Sequence, residues 1–297
     1  MRRHRQKKSS DISKWLLIVL AFIVAAEVVL VLYKRPDWMF MIKETAGSFF
    51  RNSDLEEATE LDVTEWTLEE LLATKAVIQE DSLLLINKEY RIQSDFSDVV
   101  EEYKNSGVMM DPCIMPSYEA LSAECKRKFN DALYVNSSYR TPEKQQEILE
   151  TSAANIAAEV GASEHQAGLA LDVYFSGYAG RAILKCEAGQ YLYQNCWRYG
   201  FVIRYPLWKS SKTDTAFEPW HIRYVGVPHA EIMYLEGLVL EEYMELLLEA
   251  EYYRYGDYLI TRQEKEPFLL PESFESGIIS SDNMGGYVIT LKLGEEK

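Results

Sequence analysis

The longest apolar run in the chain is WLLIVLAFIVAAEVVLVLY, Trp15 to Tyr33, 19 residues with a single charge at Glu27. As a helix rising about 1.5 Å per residue, it is long enough for a hydrocarbon core of roughly 30 Å. It exceeds the apolar core of a cleavable signal peptide, and no A-x-A site follows it. The expectation is a retained anchor at 15–33, with residues 1–14 as a basic cytoplasmic tail. Arg2, Arg3, Arg5, Lys7, Lys8 and Lys14 stand there against Asp11 alone, so the positive-inside rule leaves the rest of the chain outside the membrane.

Beyond the anchor, residues 34–80 are acidic and poor in glycine, with one helical stretch around TEWTLEELLATKAV. They read as a stalk. LLLINKEYRI, from Leu83, has the unbroken apolar character of a strand. Pro116–Ala132 places Leu121, Cys125 and Phe129 at helical spacing. YVNSSYR reads as a strand. Thr141 and Pro142 then supply an N-cap and a first-turn proline for a helix whose apolar face runs through Leu149, Ala153, Ile156 and Val160 to a stop at Gly161. LALDVYF, FVIRYP and WHIRYVG read as strands, Gln190–Tyr199 and Leu240–Tyr252 as helices, and residues 253–297 as a small β extension. The mixture lacks strict βαβ alternation. It predicts an α+β domain at 81–252, built on an antiparallel sheet flanked by helices.

A net charge of −16 disfavours nucleic acid as a partner, since phosphate binding needs a concentrated cationic surface. Four cysteines, Cys113, Cys125, Cys186 and Cys196, form no C-x-x-C pair. Their spacing allows local bridges, Cys113–Cys125 and Cys186–Cys196, or four ordinary buried thiols.

Of four histidines, His4 lies in the basic tail. His165 and Asp172 fall in SEHQAGLALD, and both side-chain types ligate zinc. Their odd spacing would split them across an unbroken strand, so Gly168 is needed as a bend. Glu218 and His221 fall in EPWH, where Pro219 excludes a helix interior and hence the helical two-histidine motif of other metalloproteases.

Together with SYRTPEKQ, Ser138 to Gln145, these segments have the order S-x-Y-R…Q, S-x-H-x-x-G-x-A-x-D, E-P-W-H. In that order they resemble the VanY-type D-alanyl-D-alanine carboxypeptidases, zinc D,D-peptidases related to the VanX-type dipeptidases. The resemblance covers roughly Leu83 to Glu249. It implies His165, Asp172 and His221 as ligands of Zn2+, Glu218 as catalytic base, and Arg140 as the cation that polarises the scissile carbonyl. Gln145 and Ser163 match positions expected to contact substrate, while Trp220 and His229 are expected to pack. The implied substrate is a peptidoglycan stem peptide ending in D-Ala-D-Ala. Endopeptidase and dipeptidase cuts stay open within the family, and a zinc-containing wall-binding module stays open outside it. No serine has lysine three residues later, which excludes the serine penicillin-binding type.

Overall fold

The computed structural model describes residues 2–151 and 157–294. Helix α1 (Arg2–Lys34) contains the apolar stretch, none of which is buried between Lys14 and Val31. Only Arg35 separates it from α2 (Pro36–Ser48), which packs on the body through Phe40 and Met41. Next come β1 (Glu56–Glu57), β2 (Thr64–Trp66), α3 (Leu68–Ala73) and β3 (Val77–Gln79). Helix α3 is short but fully capped: the Thr67 hydroxyl accepts from the Glu70 amide, and the Glu70 carboxylate accepts from the Thr67 amide.

The central domain contains a β4 (Glu101–Glu102) and β5 (Met109–Met110) hairpin, then α4 (Met115–Phe129), β6 (Tyr134–Ser137) and α5 (Pro142–Thr151). It continues with β7 (Ala170–Tyr174), α6 (Glu187–Asn195), β8 (Phe201–Tyr205), α7 (Ser210–Thr213), β9 (Glu218–Tyr224), α8 (His229–Glu236) and α9 (Leu240–Leu246). Helix α4 buries Tyr118, Leu121 and Cys125 and ends where Asn130 turns left-handed at φ 55°. Burying a side chain such as Leu121 stabilises by about 1.5–3 kcal/mol. Ala153 and Ile156, expected on the face of the α5 helix, lie outside the described residues.

Four strands form the antiparallel sheet β6-β7-β9-β8, with helices packed against it. The register across it matters most for function. Ser137 pairs with Asp172, and Asp172 pairs with His221, so three neighbouring strands place these side chains in one row on one face. Between β8 and β9 the pairing shifts past Ile203, where β9 carries Pro219, which has no N–H to donate.

The C-terminal strands are β10 (Tyr253–Tyr255), β11 (Tyr258–Gln263), β12 (Phe268–Leu270), β13 (Ser276–Ser281) and β14 (Tyr287–Lys292). Three short strands within residues 56–79, a stretch expected to be part of a stalk, instead pair with them. The second sheet has the order β1-β10-β11-β14-β13-β3, and β2 pairs with β12. Strands of two or three residues, some carrying only exposed acids, show no periodicity of their own. Their pairing comes from the tail.

Two further expectations differ from the structure. Leu83–Ile92 is not a strand, although Leu83 to Ile86 are buried. Its polar backbone is met by side chains and loops: Arg223 Nη2 donates to the carbonyls of Ser82 and Leu84, and Asn283 Nδ2 to those of Leu85 and Tyr90. The cysteines follow the second of their two readings: all four are free thiols, Cys125 and Cys196 buried and Cys113 and Cys186 partly so. Helix α9 also stops at Leu246, short of the expected Tyr252.

Candidate metal centre

Asp172 and His221 meet because β7 and β9 pair at those positions. His165 arrives by another route. It sits in a 3-10 turn, Glu164–Ala167, ahead of β7, and Gly168 ends the turn at φ 70°. A Cβ on Gly168 would lie 2.6 Å from Val100 Cγ1, so both the torsion and the close approach require glycine. The turn lifts His165 out of strand alternation and over Asp172. One ligand atom from each of His165, Asp172 and His221 lies within 4.8 Å of the others.

Hydrogen bonds set which ring nitrogens face the common point. His165 Nδ1 lies 2.9 Å from the Ser138 carbonyl and must donate to it, leaving a lone pair on Nε2. That nitrogen faces Asp172 Oδ2 at 3.4 Å. Burial depresses the His165 pKa and so favours the neutral ring, in which two electron-rich atoms confront each other. A cation between them resolves that conflict. On the other ring, His221 Nε2 is 3.4 Å from Glu164 Oε2, and Nδ1 is 3.0 Å from Asp172 Oδ1. Glu164 thus accepts a hydrogen bond from the Nε2–H, keeps the proton on that nitrogen and directs Nδ1 toward the same point. Two imidazoles and a carboxylate, each with an outer hydrogen-bond partner, suit a catalytic zinc that keeps a further position open.

In the metal-free protein, burial opposes a charge on His221, yet the hydrogen bonds to Asp172 and Glu164 prevail and raise its pKa to about 9. Burial likewise opposes ionisation of Asp172, but the hydrogen bond from His221 holds its carboxyl well below the usual range.

Glu218 begins β9, with Oε2 4.0 Å from His221 Nδ1, beside the ligand set and not within it. Burial raises its pKa from the ordinary value, and Asp172 adds to this against His221 and Arg140. Arg140 is held as a fork. Its Nε and Nη2 donate to Ser137 Oγ at 3.0 and 2.8 Å, and Nη2 lies 3.2 Å from Asp172 Oδ2. Gln145, expected against substrate, is buried with both ends engaged: Oε1 accepts from Arg140 Nη1 at 3.4 Å, and Nε2 donates to the Ala158 carbonyl at 2.7 Å. Ser163 is buried in the wall just before the turn. Arg140, Gln145, Ser163, His165, Asp172, Glu218 and His221 all line one cleft of about 760 Å³.

One residue was not singled out in the sequence. Glu164 is fully buried, and its Oε1 accepts from Arg204 Nε at 2.7 Å and Arg223 Nη1 at 2.9 Å. Arg204 also forks onto Glu241 at 2.8 and 2.6 Å. The signal lay in FVIRYP and WHIRYVG: each apolar strand carries an arginine, and a buried arginine needs a counter-ion. His229, by contrast, lies away from the centre, bonded to the hydroxyls of Tyr243 at 2.7 Å and Thr290 at 2.9 Å.

The model of the VanY family, D-alanyl-D-alanine carboxypeptidase, matches residues 107–227, a span that contains Arg140, His165, Asp172, Glu218 and His221. A D-alanyl-D-alanine carboxypeptidase of Enterococcus faecium is 32% identical over 82% of this chain and 86% of its own. This chain belongs to the VanY family. Another D-alanyl-D-alanine carboxypeptidase, from Enterococcus faecalis, is 34% identical over 70% of this chain and 88% of its own. Among solved structures, the vancomycin-resistance D,D-dipeptidase VanXYg, in complex with a D-Ala-D-Ala phosphinate analogue, matches 78% of this chain and 99% of its own. The TM-score is 0.61 and the identity 24%, which shows the shared fold. The chain is therefore a zinc metallopeptidase by family, on the mixed α+β fold of VanY and VanX enzymes.

Proposed function

We propose that this VanY-family enzyme removes the C-terminal D-Ala from peptidoglycan stem peptides, with His165 Nε2, Asp172 and His221 Nδ1 as zinc ligands. The observation that supports it is the row Ser137, Asp172 and His221, which gathers the ligands, Glu218 and the Arg140 fork on one face of one cleft. Zinc held there supplies Lewis acidity toward the attacking water and the scissile carbonyl. Glu218, its proton affinity raised by burial, accepts the proton of the attacking water and returns it to the departing amine. Arg140, fixed on Ser137 Oγ, offers its guanidinium to the negative charge that develops on the carbonyl oxygen. Gln145 keeps that guanidinium in place.

In the same proposal α1 is the anchor, with the N-terminus cytoplasmic and the cleft on the outer side, where stem peptides are found. The stretch Lys14–Val31 has a mean hydropathy of 2.5 and is fully exposed.

The test is incubation of the full zinc-loaded chain with a stem pentapeptide ending in D-Ala-D-Ala, followed by mass spectrometry. Loss of one terminal alanine, abolished by chelator and reduced about 10²–10⁴-fold by Glu218→Ala with zinc retained, is the expected result. Cleavage inside the stem would assign an endopeptidase. Turnover of free D-Ala-D-Ala alone would assign a dipeptidase. Bound zinc with no cleavage of any of these would leave a wall-binding module.

A further inference from the structure

Helix α2 has two faces that carry large apolar side chains, and one of them is packed on the body. The inner stripe, Asp37, Phe40, Met41 and Glu44, is buried on the body. Phe40 meets Tyr193 edge-on at 5.6 Å, and the Glu44 carboxylate accepts from Gln194 Nε2 at 2.7 Å and from Arg51 Nη2. The helix is therefore fixed and cannot roll to hide its other side. The outer stripe, at i and i+4, consists of Trp38 and Ile42, about half exposed, and it continues past the helix end into Phe49 and Phe50, 81% and 90% exposed. A soluble surface rarely gathers such side chains without a partner.

A second element adds to this face. Trp208, in the turn between β8 and α7, is 77% exposed and holds a left-handed backbone at φ 72°. It shares with Phe49 the lining of an apolar cavity of about 360 Å³ between α2 and the body. An indole on an exposed tip, in a conformation that costs a non-glycine residue energy, has no structural reason of its own.

The occupant is indicated by continuity. Arg35 alone separates α2 from the last residue of α1. The joint is tied, with Arg35 forking onto Asp37 at 3.0 and 2.7 Å and lying 4.4 Å from the centre of the Trp38 ring. A helix joined this tightly to a membrane span starts at the headgroup level. Tryptophan and phenylalanine are the side chains that settle there, on helices lying about 5–10 Å deep in the interface.

We propose that the outer face of α2, with Phe49, Phe50 and Trp208, lies in the outer interface of the phospholipid bilayer that α1 spans. The catalytic domain would then rest on the membrane in one orientation, as a docked body and not as a swinging head. This rests on the anchor reading of α1. The turn carrying Trp208 leads directly into Ser211–Ala216, which line the metal cleft, so docking would also hold one rim of that cleft near the bilayer.

The experiment uses the full chain in phospholipid nanodiscs, with a benzophenone side chain replacing Leu20, Ile42, Phe50, Trp208 or Leu269 one at a time. All five are exposed, and each variant is checked for retained peptidase activity and zinc. After irradiation, mass spectrometry detects covalent lipid adducts. Adducts at Leu20, Ile42, Phe50 and Trp208, but not at Leu269 on β12, are expected. Adducts at Leu20 with none at the other three would overturn the docking while keeping the anchor. No adduct at Leu20 would overturn the anchor and the docking together. Equal adducts at Leu269 would show indiscriminate lipid contact and overturn the proposal as well.

Discussion

Replacing Glu164 by glutamine changes no volume but removes one charge from a buried array. Glu164 and Glu241 together balance Arg204 and Arg223, and of these four side chains only Glu241 is more than marginally exposed. In Glu164→Gln, Arg204 keeps its fork onto Glu241, but Arg223 loses the carboxylate it is bonded to and retains hydrogen bonds to the carbonyls of Ser82, Leu84 and Tyr224. An uncompensated buried charge of this kind costs about 3–5 kcal/mol. That is a large part of the ~5–15 kcal/mol of a typical domain, yet it leaves the variant folded at low temperature. The second effect is on the metal. Without the carboxylate, nothing compels His221 to carry its proton on Nε2, and the Nδ1 ligand atom loses its orientation. Loss of such an outer partner weakens metal binding about 10–100-fold.

The two effects can be separated. Arg223→Met in the Glu164→Gln background removes the orphaned cation and should recover part of the stability, because an apolar side chain replaces an unpaired charge. It should not recover zinc affinity, since the His221 contact is still missing. Denaturant unfolding of the metal-free proteins measures the first quantity, and competition with a chromophoric chelator measures the second. Unchanged zinc affinity in Glu164→Gln would refute the orienting role. Zinc affinity restored by Arg223→Met would show that the loss came from general loosening.

Arg140→Lys should lower kcat/KM about 10²–10³-fold with zinc content unchanged, because one ammonium cannot hold Ser137 Oγ and face the substrate at once; activity close to that of the unsubstituted enzyme would remove Arg140 from the chemistry. His229 is buried and neutral, its pKa pushed down by burial to about 3 against an ordinary 6.5. The unfolded chain therefore binds a proton that the folded one refuses, so this contribution is whole above about pH 6.5 and drains away toward pH 3. Between pH 7 and pH 5 the unsubstituted protein should lose about 2 kcal/mol more than His229→Gln, by denaturant titration at each pH; parallel losses would sink the assignment. Cys125 and Cys196 should resist Ellman's reagent until the protein unfolds, since both are buried and burial raises each to about 12, and reductant should leave the melting temperature unchanged.

The parts of the site legible in the sequence are those whose logic is local. His165, Gly168 and Asp172 lie within one turn and strand, so the need for a bend was visible from odd spacing and confirmed in geometry by the left-handed Gly168. Pro219 excluded a helix at Glu218, and Thr141 with Pro142 marked the start of α5. The antiparallel sheet followed from strands without βαβ order. What stayed hidden depends on register and on distant partners. Nothing in LALDVYF or WHIRYVG says that Asp172 faces His221 and Ser137, because pairing could slip by a residue without changing either segment's composition. Strands β1 to β3 were hidden for a related reason: they exist only because the C-terminal tail returns to pair with them.

Glu164 shows why adjacency in sequence misleads. It lies between Ser163 and His165, within a motif read for its histidine, yet its partners come from strands 40 and 59 residues downstream. A carboxylate beside a metal ligand would ordinarily be read as another ligand or as solvated. Here two guanidiniums claim one of its oxygens and the His221 ring claims the other, so it is held away from the ligand set and spends its charge on orientation. The same array joins the centre to the rest of the fold: Arg223 reaches the backbone at Ser82 and Leu84, and Arg204 reaches α9 through Glu241. The ligand geometry is thus supported from the segment that enters the domain and the helix that leaves it. Disturbing either contact should therefore be felt at the metal before it is felt in the sheet.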